Sequence, residues 1–239
     1  VAGTNGKGSV CSMLDAIYRA NGYRVGLFSS PHLVELGERI RVDGTNLSML
    51  EIEGFVDELR PLIEKMEAGK PGLYPTFFEF MTAMAFLKFR KAGVDLAVIE
   101  TGMGGRLDST NVVDPELSLI TTISRDHCSI LGNEIELIAE EKAGIVKTGK
   151  PVLTGWLKPV ANQVVERIAR GRGSQFETLA HSSTRPAELP ETNLFGEYQR
   201  RNAALAKRAV EILSEKFPVD GKKVGSGLRQ VSLQGRWQV

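Results

Sequence analysis

The chain has 239 residues, 42% of them apolar and 25% charged, with a formal net charge of +1. That length supports one well-buried core, since single α/β domains commonly exceed ~200 residues, and the near-zero charge excludes a long-range field that would recruit nucleic acid or an anionic membrane. No apolar run approaches the ~20 residues of a membrane span and no signal-peptide pattern opens the chain. Cys11 and Cys128 lie far apart without metal-ligand spacing, which argues against a disulfide framework and for a reducing cytosol.

The first element is a helix over Ser9–Ala20, with Val10, Met13, Leu14 and Ile17 at helical spacing and a stop at Asn21-Gly22. A short strand is predicted over Tyr23–Phe28, followed by a loop containing Ser29-Ser30-Pro31-His32. Ser48 and Glu51 form a capping box that opens a helix, which Pro61 is expected to kink or break. Thr76 and Glu79 form a second box, before an apolar-rich helix to about Lys91 and a stop at Gly93. Val94–Ile99 is a nearly continuous apolar run, the pattern of a strand covered on both faces. Further strands are predicted at Leu117–Thr122 and Pro151–Thr154, and helices at Glu134–Ala143, Pro159–Arg170 and Tyr198–Lys216. The stretch 170–193 is polar and takes no assignment.

Strands alternating with helices predict an α/β, three-layer domain with a mostly parallel sheet and helices on both faces. Ligands of such sheets bind at the carboxyl ends of the strands. The polar clusters Ser29–His32, Glu100–Asn111 and Ser124–His127 all follow predicted strands.

Gly3-Thr4-Asn5-Gly6-Lys7-Gly8-Ser9 leads directly into the first helix. Glycines let backbone N–H groups approach a phosphate, and the helix N-terminus adds a favourable dipole. Lys7 would reach the β- and γ-phosphates of ATP, and the Ser9 hydroxyl could ligate Mg²⁺. A plain glycine-rich turn with a solvated lysine is the alternative. Gly8 separates Lys7 from Ser9, a departure from the ordinary Walker pattern.

The string Val1–Ser9 resembles the phosphate loop of the Mur ligase superfamily, in its folylpolyglutamate synthase/dihydrofolate synthase branch. Ser29-Ser30-Pro31-His32-Leu33 with Glu38-Arg39-Ile40, Thr76-Phe77-Phe78-Glu79, Ile99–Asn111, Asp126-His127 with Leu131-Gly132, and Glu141–Ile145 agree in the same order. Tyr198 stands where a His is common in the family, and Arg125 where an apolar residue is frequent. The resemblance covers the central ATP-binding domain, here residues 1–239. The family continues into a C-terminal domain that helps bind glutamate. The chain is therefore expected to be an excerpt; it opens at Val1, inside a motif that normally follows a buried strand.

The resemblance implies roles residue by residue. Glu100 would ligate Mg²⁺, with pairing to Arg106 as the alternative; an unpaired carboxylate at the end of a buried strand is costly. His127 would ligate a second Mg²⁺, and the Ser30 hydroxyl would approach the metal near the γ-phosphate; without the resemblance these are a structural histidine and a turn residue. Lys142 would be carbamylated by CO₂, whereas position alone suggests a surface helix lysine. Asn202 and Arg236 would contact the nucleotide, with helix capping and simple solvation as alternatives. Phe78, Ser29, His32 and Arg39 fall where the family binds pterin, although an aromatic on a helix is more often core.

The implied reaction is ATP-dependent addition of L-glutamate to a folate or pteroate through an acyl phosphate, with Lys7, His127 and Lys142 as the catalytic set. A peptidoglycan-type amino-acid ligase of the same superfamily and a non-catalytic nucleotide-binding module are the rival readings. Small molecules are the expected partners, without nucleic acid or membrane, and a cytoplasmic monomer is the expected state.

Overall fold

The computed structural model describes residues 1–125, 134–181 and 188–233. The elements are α1 (Lys7–Ala20), β1 (Val25–Phe28), β2 (Ile40–Val42), β3 (Thr45–Asn46), α2 (Met49–Gly69), α3 (Phe77–Ala92), β4 (Leu96–Ile99), β5 (Ser118–Ile120), α4 (Ile135–Ala143), β6 (Val152–Thr154), α5 (Pro159–Gly171), β7 (Phe176–Thr178), α6 (Glu197–Ile212) and α7 (Gly221–Leu228), with 3₁₀ turns at Leu36–Arg39 and Ser109–Val112.

Two strand groups, β3-β2-β1-β4 and β5-β6-β7, are joined by the first residues of the chain. Val1 donates from its amino group to Ile99 and accepts from the Thr101 N–H, while Ala2 pairs in parallel with Ile120. Pairing is parallel from β1 to β4 and through β5, β6 and β7, and antiparallel only at β2 and β3. The phosphate-loop segment therefore leaves the middle of the sheet.

Alternation along the strands places helices on both faces. Val25 and Leu27 of β1 pack with α1, and so do Leu119 and Leu153. Ile120 and Val152 face the opposite way, onto α4 and α5. Phe28 joins Phe55, Met81 and Phe89 beneath α2 and α3. The α/β architecture with a mostly parallel sheet agrees with the sequence pattern.

One expectation needs correction. Pro61 does not break α2, which runs unbroken from Met49 to Gly69. Its buried anchors Ile52, Phe55 and Leu59 all precede the proline, and the Ser48–Glu51 capping box fixes its start, so one missing backbone bond is tolerated. Between the bodies of β4 and β5 lies an apolar cavity of about 500 Å³, lined in part by Ala97 and Leu119.

Candidate active site

Gly6 is the residue before α1 and has φ 86°, a left-handed conformation that glycine adopts without a Cβ penalty. Among the described residues no side chain caps α1, and its first turn holds no acidic residue. The first amides of a helix lack intrahelical partners, so this end is open to an anion, and the helix dipole favours one there. Lys7 folds back over the loop, its Nζ 3.0 Å from the Gly3 carbonyl oxygen and 3.4 Å from that of Thr4. Ser9 is buried within the first turn.

Glu100 follows β4 directly and is 3% exposed. Its Oε2 accepts from the Ser30 backbone N–H at 3.0 Å. The loop reaches it from the other side: a Cβ added at Gly8 would lie 3.6 and 3.7 Å from the two carboxylate oxygens. Arg106, the alternative partner expected for Glu100, instead places Nε and Nη2 on Glu141 Oε1 at 3.0 and 2.8 Å. A carboxylate beside a phosphate loop, with the Ser9 and Ser30 hydroxyls in the adjoining backbone, is the hard-oxygen donor set that Mg²⁺ takes. Among the described residues no group of three His, Cys, Asp or Glu side chains forms a metal cluster. His127 lies outside the described residues, as do Asp126, Leu131 and Gly132.

Lys142, on α4, is 2% exposed and not a surface lysine. Its Nζ donates to the Gly3 carbonyl at 3.1 Å, so α4 touches the phosphate loop directly. Asn202 lies inside α6 rather than at its start, which removes the capping reading. Its Nδ2 donates to Gln199 Oε1 at 3.0 Å, and a Cβ at Gly6 would stand 2.7 Å from Asn202 Oδ1. Arg236 lies outside the described residues.

A second group borders Glu100. Ser29 donates from its N–H to the Arg39 carbonyl at 2.9 Å, and Arg39 Nε donates to His32 Nδ1 at 2.8 Å. Burial lowers the Arg39 guanidinium from its ordinary range, while the Glu100 charge opposes that shift. Phe78 packs on Phe28, ring centroids 5.6 Å apart, and a Cβ at Gly102 would meet its ring at 2.6 Å. It is partly buried against the core. Phe77 is the exposed aromatic, with the Arg39 guanidinium 5.2 Å from its ring centre.

The Mur ligase middle domain family matches residues 74–155, from just before α3 to just past β6. The dihydrofolate synthase/folylpolyglutamate synthase of Bacillus subtilis is 40% identical, over 100% of this chain and 60% of its own length. The apo structure of the Lacticaseibacillus casei folylpolyglutamate synthase superposes with a TM-score of 0.93 at 33% identity, covering 100% of this chain and 63% of that one. The chain is a homologue of folylpolyglutamate and dihydrofolate synthases. A folylpolyglutamate synthase complexed with AMPPCP and folate matches at a TM-score of 0.91 and 33% identity, over 98% of this chain and 62% of that one. The chain spans 60% of the length of the Bacillus subtilis relative and 58% of that of the Lacticaseibacillus casei one.

Within this folylpolyglutamate synthase-type domain, three features escaped the sequence. Phe77 is one; its neighbour Phe78 carried the expectation, and only packing distinguishes them. Asp108 is another: its Oδ2 accepts from the Gly102 and Met103 N–H groups at 2.9 and 3.0 Å, tying down the loop after Glu100. The last is the end of β5, where Thr121 and Thr122 grip the phosphate loop. The cavity between β4 and β5 is lined along the strand bodies by residues 95–99 and 117–119, and does not include Lys7, Glu100 or Lys142. Cys11, buried under the loop, has its thiol pushed up by burial and then by the Glu100 charge, which leaves it no nucleophile.

Proposed function

We propose that this chain forms the ATP site of a ligase that joins L-glutamate to a folate-type acid, dihydropteroate or tetrahydrofolate or both. The observation that carries this reading is the convergence of Lys7, Lys142 and Glu100 on the Gly3–Ser9 loop at an uncapped helix start. Similarity to these synthases supports the substrate class. The name of the Bacillus subtilis relative carries both the dihydrofolate and folylpolyglutamate activities, and a matching structure holds folate beside AMPPCP.

In this reaction a substrate carboxylate oxygen attacks the γ-phosphorus of ATP, the bond to the β-phosphate oxygen breaks, and ADP leaves. The α-amine of glutamate then attacks the acyl carbon, phosphate departs, and the amine loses its proton. The backbone amides that open α1 hold the phosphates, and Lys7 neutralises the transferring oxygens. Asn202, fixed by Gln199 beside Gly6, would border the nucleotide, and Arg236 would be a second contact by resemblance alone. Phe77, Arg39, His32 and Ser29 wall the side from which the pterin-bearing acid enters, while Phe78 backs that wall from the core.

Glu100, Ser9 and Ser30 would hold one Mg²⁺ and His127 a second, supplying charge neutralisation when bound. Lys142 is the candidate for carbamylation. CO₂ attack needs the amine in its neutral form, and the product replaces a cation by an anion near the metal donors. Among the described residues no helix is long and apolar enough to cross a membrane. A cytoplasmic monomer acting on small molecules completes the proposal.

The test is phosphate release from ATP with dihydropteroate or a tetrahydrofolate as acid and L-glutamate as amine. Release that requires both, with one glutamate added per phosphate, supports the reading. Release that ignores the folate but follows a cell-wall precursor would favour the peptidoglycan-type rival.

A further inference from the structure

The end of β5 holds the phosphate loop more tightly than the chemistry above requires. The Asn5 N–H donates to Thr122 Oγ1 at 2.9 Å, and the same hydroxyl donates back to the Asn5 carbonyl at 3.1 Å. Thr121 Oγ1 donates to that carbonyl as well, at 2.6 Å. One residue earlier, the Thr4 N–H donates to the Thr122 carbonyl at 2.8 Å, and Thr4 Oγ1 exchanges hydrogen bonds with the Ser124 backbone at 3.1 and 3.2 Å. Gly3 completes the contact. A Cβ there would fall 2.0 Å from Thr121 Oγ1, so the hydroxyl occupies the space of the missing side chain.

Asn5 is the residue before Gly6, where the backbone turns left-handed into α1. Asn5 is an exposed residue, so water is at hand as an alternative partner for its peptide groups. The threonine hydroxyls therefore add little to satisfaction of the backbone; what they add is one fixed orientation of the peptide that enters the amide cradle. An anion site whose donors are already aimed spares the ligand the entropy of ordering them.

We infer that Thr122, with Thr121 behind it, is a positioning residue that presets the Gly6–Ser9 amides for the polyphosphate of the nucleotide. The inference rests on the ATP reading above. Thr122→Val keeps the branched shape and removes the hydroxyl, whereas Thr122→Ser keeps the hydroxyl.

The experiment measures binding of AMPPCP and of adenosine to the full chain and its variants, together with amide hydrogen exchange at Asn5 without ligand. The expected result is that Thr122→Val weakens AMPPCP about tenfold, the effect of one lost orienting hydrogen bond. Adenosine binding should hold within about twofold, Asn5 exchange should accelerate, and Thr122→Ser should restore both. Unchanged AMPPCP affinity in Thr122→Val would overturn the inference, and so would equal losses for AMPPCP and adenosine, the mark of general destabilisation. If the unaltered chain binds neither ligand, the ATP reading fails and the polyphosphate role with it, while Asn5 exchange still reports whether the clamp holds the loop.

Discussion

Lys7 and Lys142 donate to the same backbone oxygen, the carbonyl of Gly3, at 3.0 and 3.1 Å. One lysine belongs to the loop itself and the other arrives from α4, so two ammonium groups gather on one peptide beside an uncapped helix start. Such a site attracts a polyanion. Lys7→Ala should lower ATP turnover roughly 10²–10³-fold, as loss of a transition-state electrostatic contact does. Because Lys7 is only half-buried, the melting temperature should hold. Single-turnover kinetics beside a thermal melt checks both, and wild-type turnover would remove Lys7 from the mechanism.

For Lys142 the expected outcome is chemical rescue. Lys142→Ala should reduce activity, and acetate, which restores a carboxylate to the vacated space, should recover part of it. Mass spectrometry of gently handled protein should show the mass of one added CO₂. A variant that keeps full activity, or one that chloride rescues as well as acetate does, would rule out a carbamate role.

Glu100→Gln keeps the shape of the side chain and its acceptor for the Ser30 N–H while deleting the charge beside Gly8. The Mg²⁺ concentration for half-maximal activity should rise by about tenfold or more, the size of effect seen when a metal site is perturbed. His127→Ala should act in the same direction. An unchanged Mg²⁺ titration for both would make these residues structural.

Glu51 supplies a pH signature remote from the site. Its carboxylate closes the capping box of α2 with Ser48 and pairs with Lys88, and these contacts, led by the Lys88 hydrogen bond, pull its pKa down from 4.5 to about 2. A carboxyl whose folded pKa is depressed stabilises the fold above its unfolded pKa, and that contribution fades as pH falls through the folded value. The stability difference between the unaltered chain and Glu51→Gln should therefore be constant above about pH 5 and shrink between pH 4.5 and 2. Because the group is partly exposed, salt should diminish the difference. A difference independent of pH would contradict the pairing.

What the sequence revealed were features written in neighbouring residues. Thr76 and Glu79 marked the start of α3 and Gly93 its end, and the structure has both, with Gly93 in the left-handed conformation. The phosphate loop was legible for the same reason, its glycines, lysine and serine being contiguous. The β2–β3 hairpin escaped because its strands have only three and two residues, too few for alternation, although Asp43-Gly44 at its turn is a hairpin signal. β7 likewise has three half-buried residues in a stretch that looked irregular. Lys142 shows the deeper limit. On α4 its spacing suits a solvated face, and only the approach of the loop from residues 139 positions away makes it buried and functional. Phe77 and Phe78 are adjacent and chemically identical, so their division between solvent and core exists only in three dimensions.

In this reading the turn from Gly6 into α1 receives the phosphates of ATP. Titrating AMPPCP with Mg²⁺ into isotope-labelled chain, and following backbone amides by NMR, tests it most directly. The Gly6, Lys7, Gly8 and Ser9 amides should shift the most, with smaller shifts at Asn202 and Ser30, and Lys7→Ala should abolish the response. Shifts confined to the residues lining the cavity between β4 and β5, with the loop amides unmoved at saturation, would contradict it.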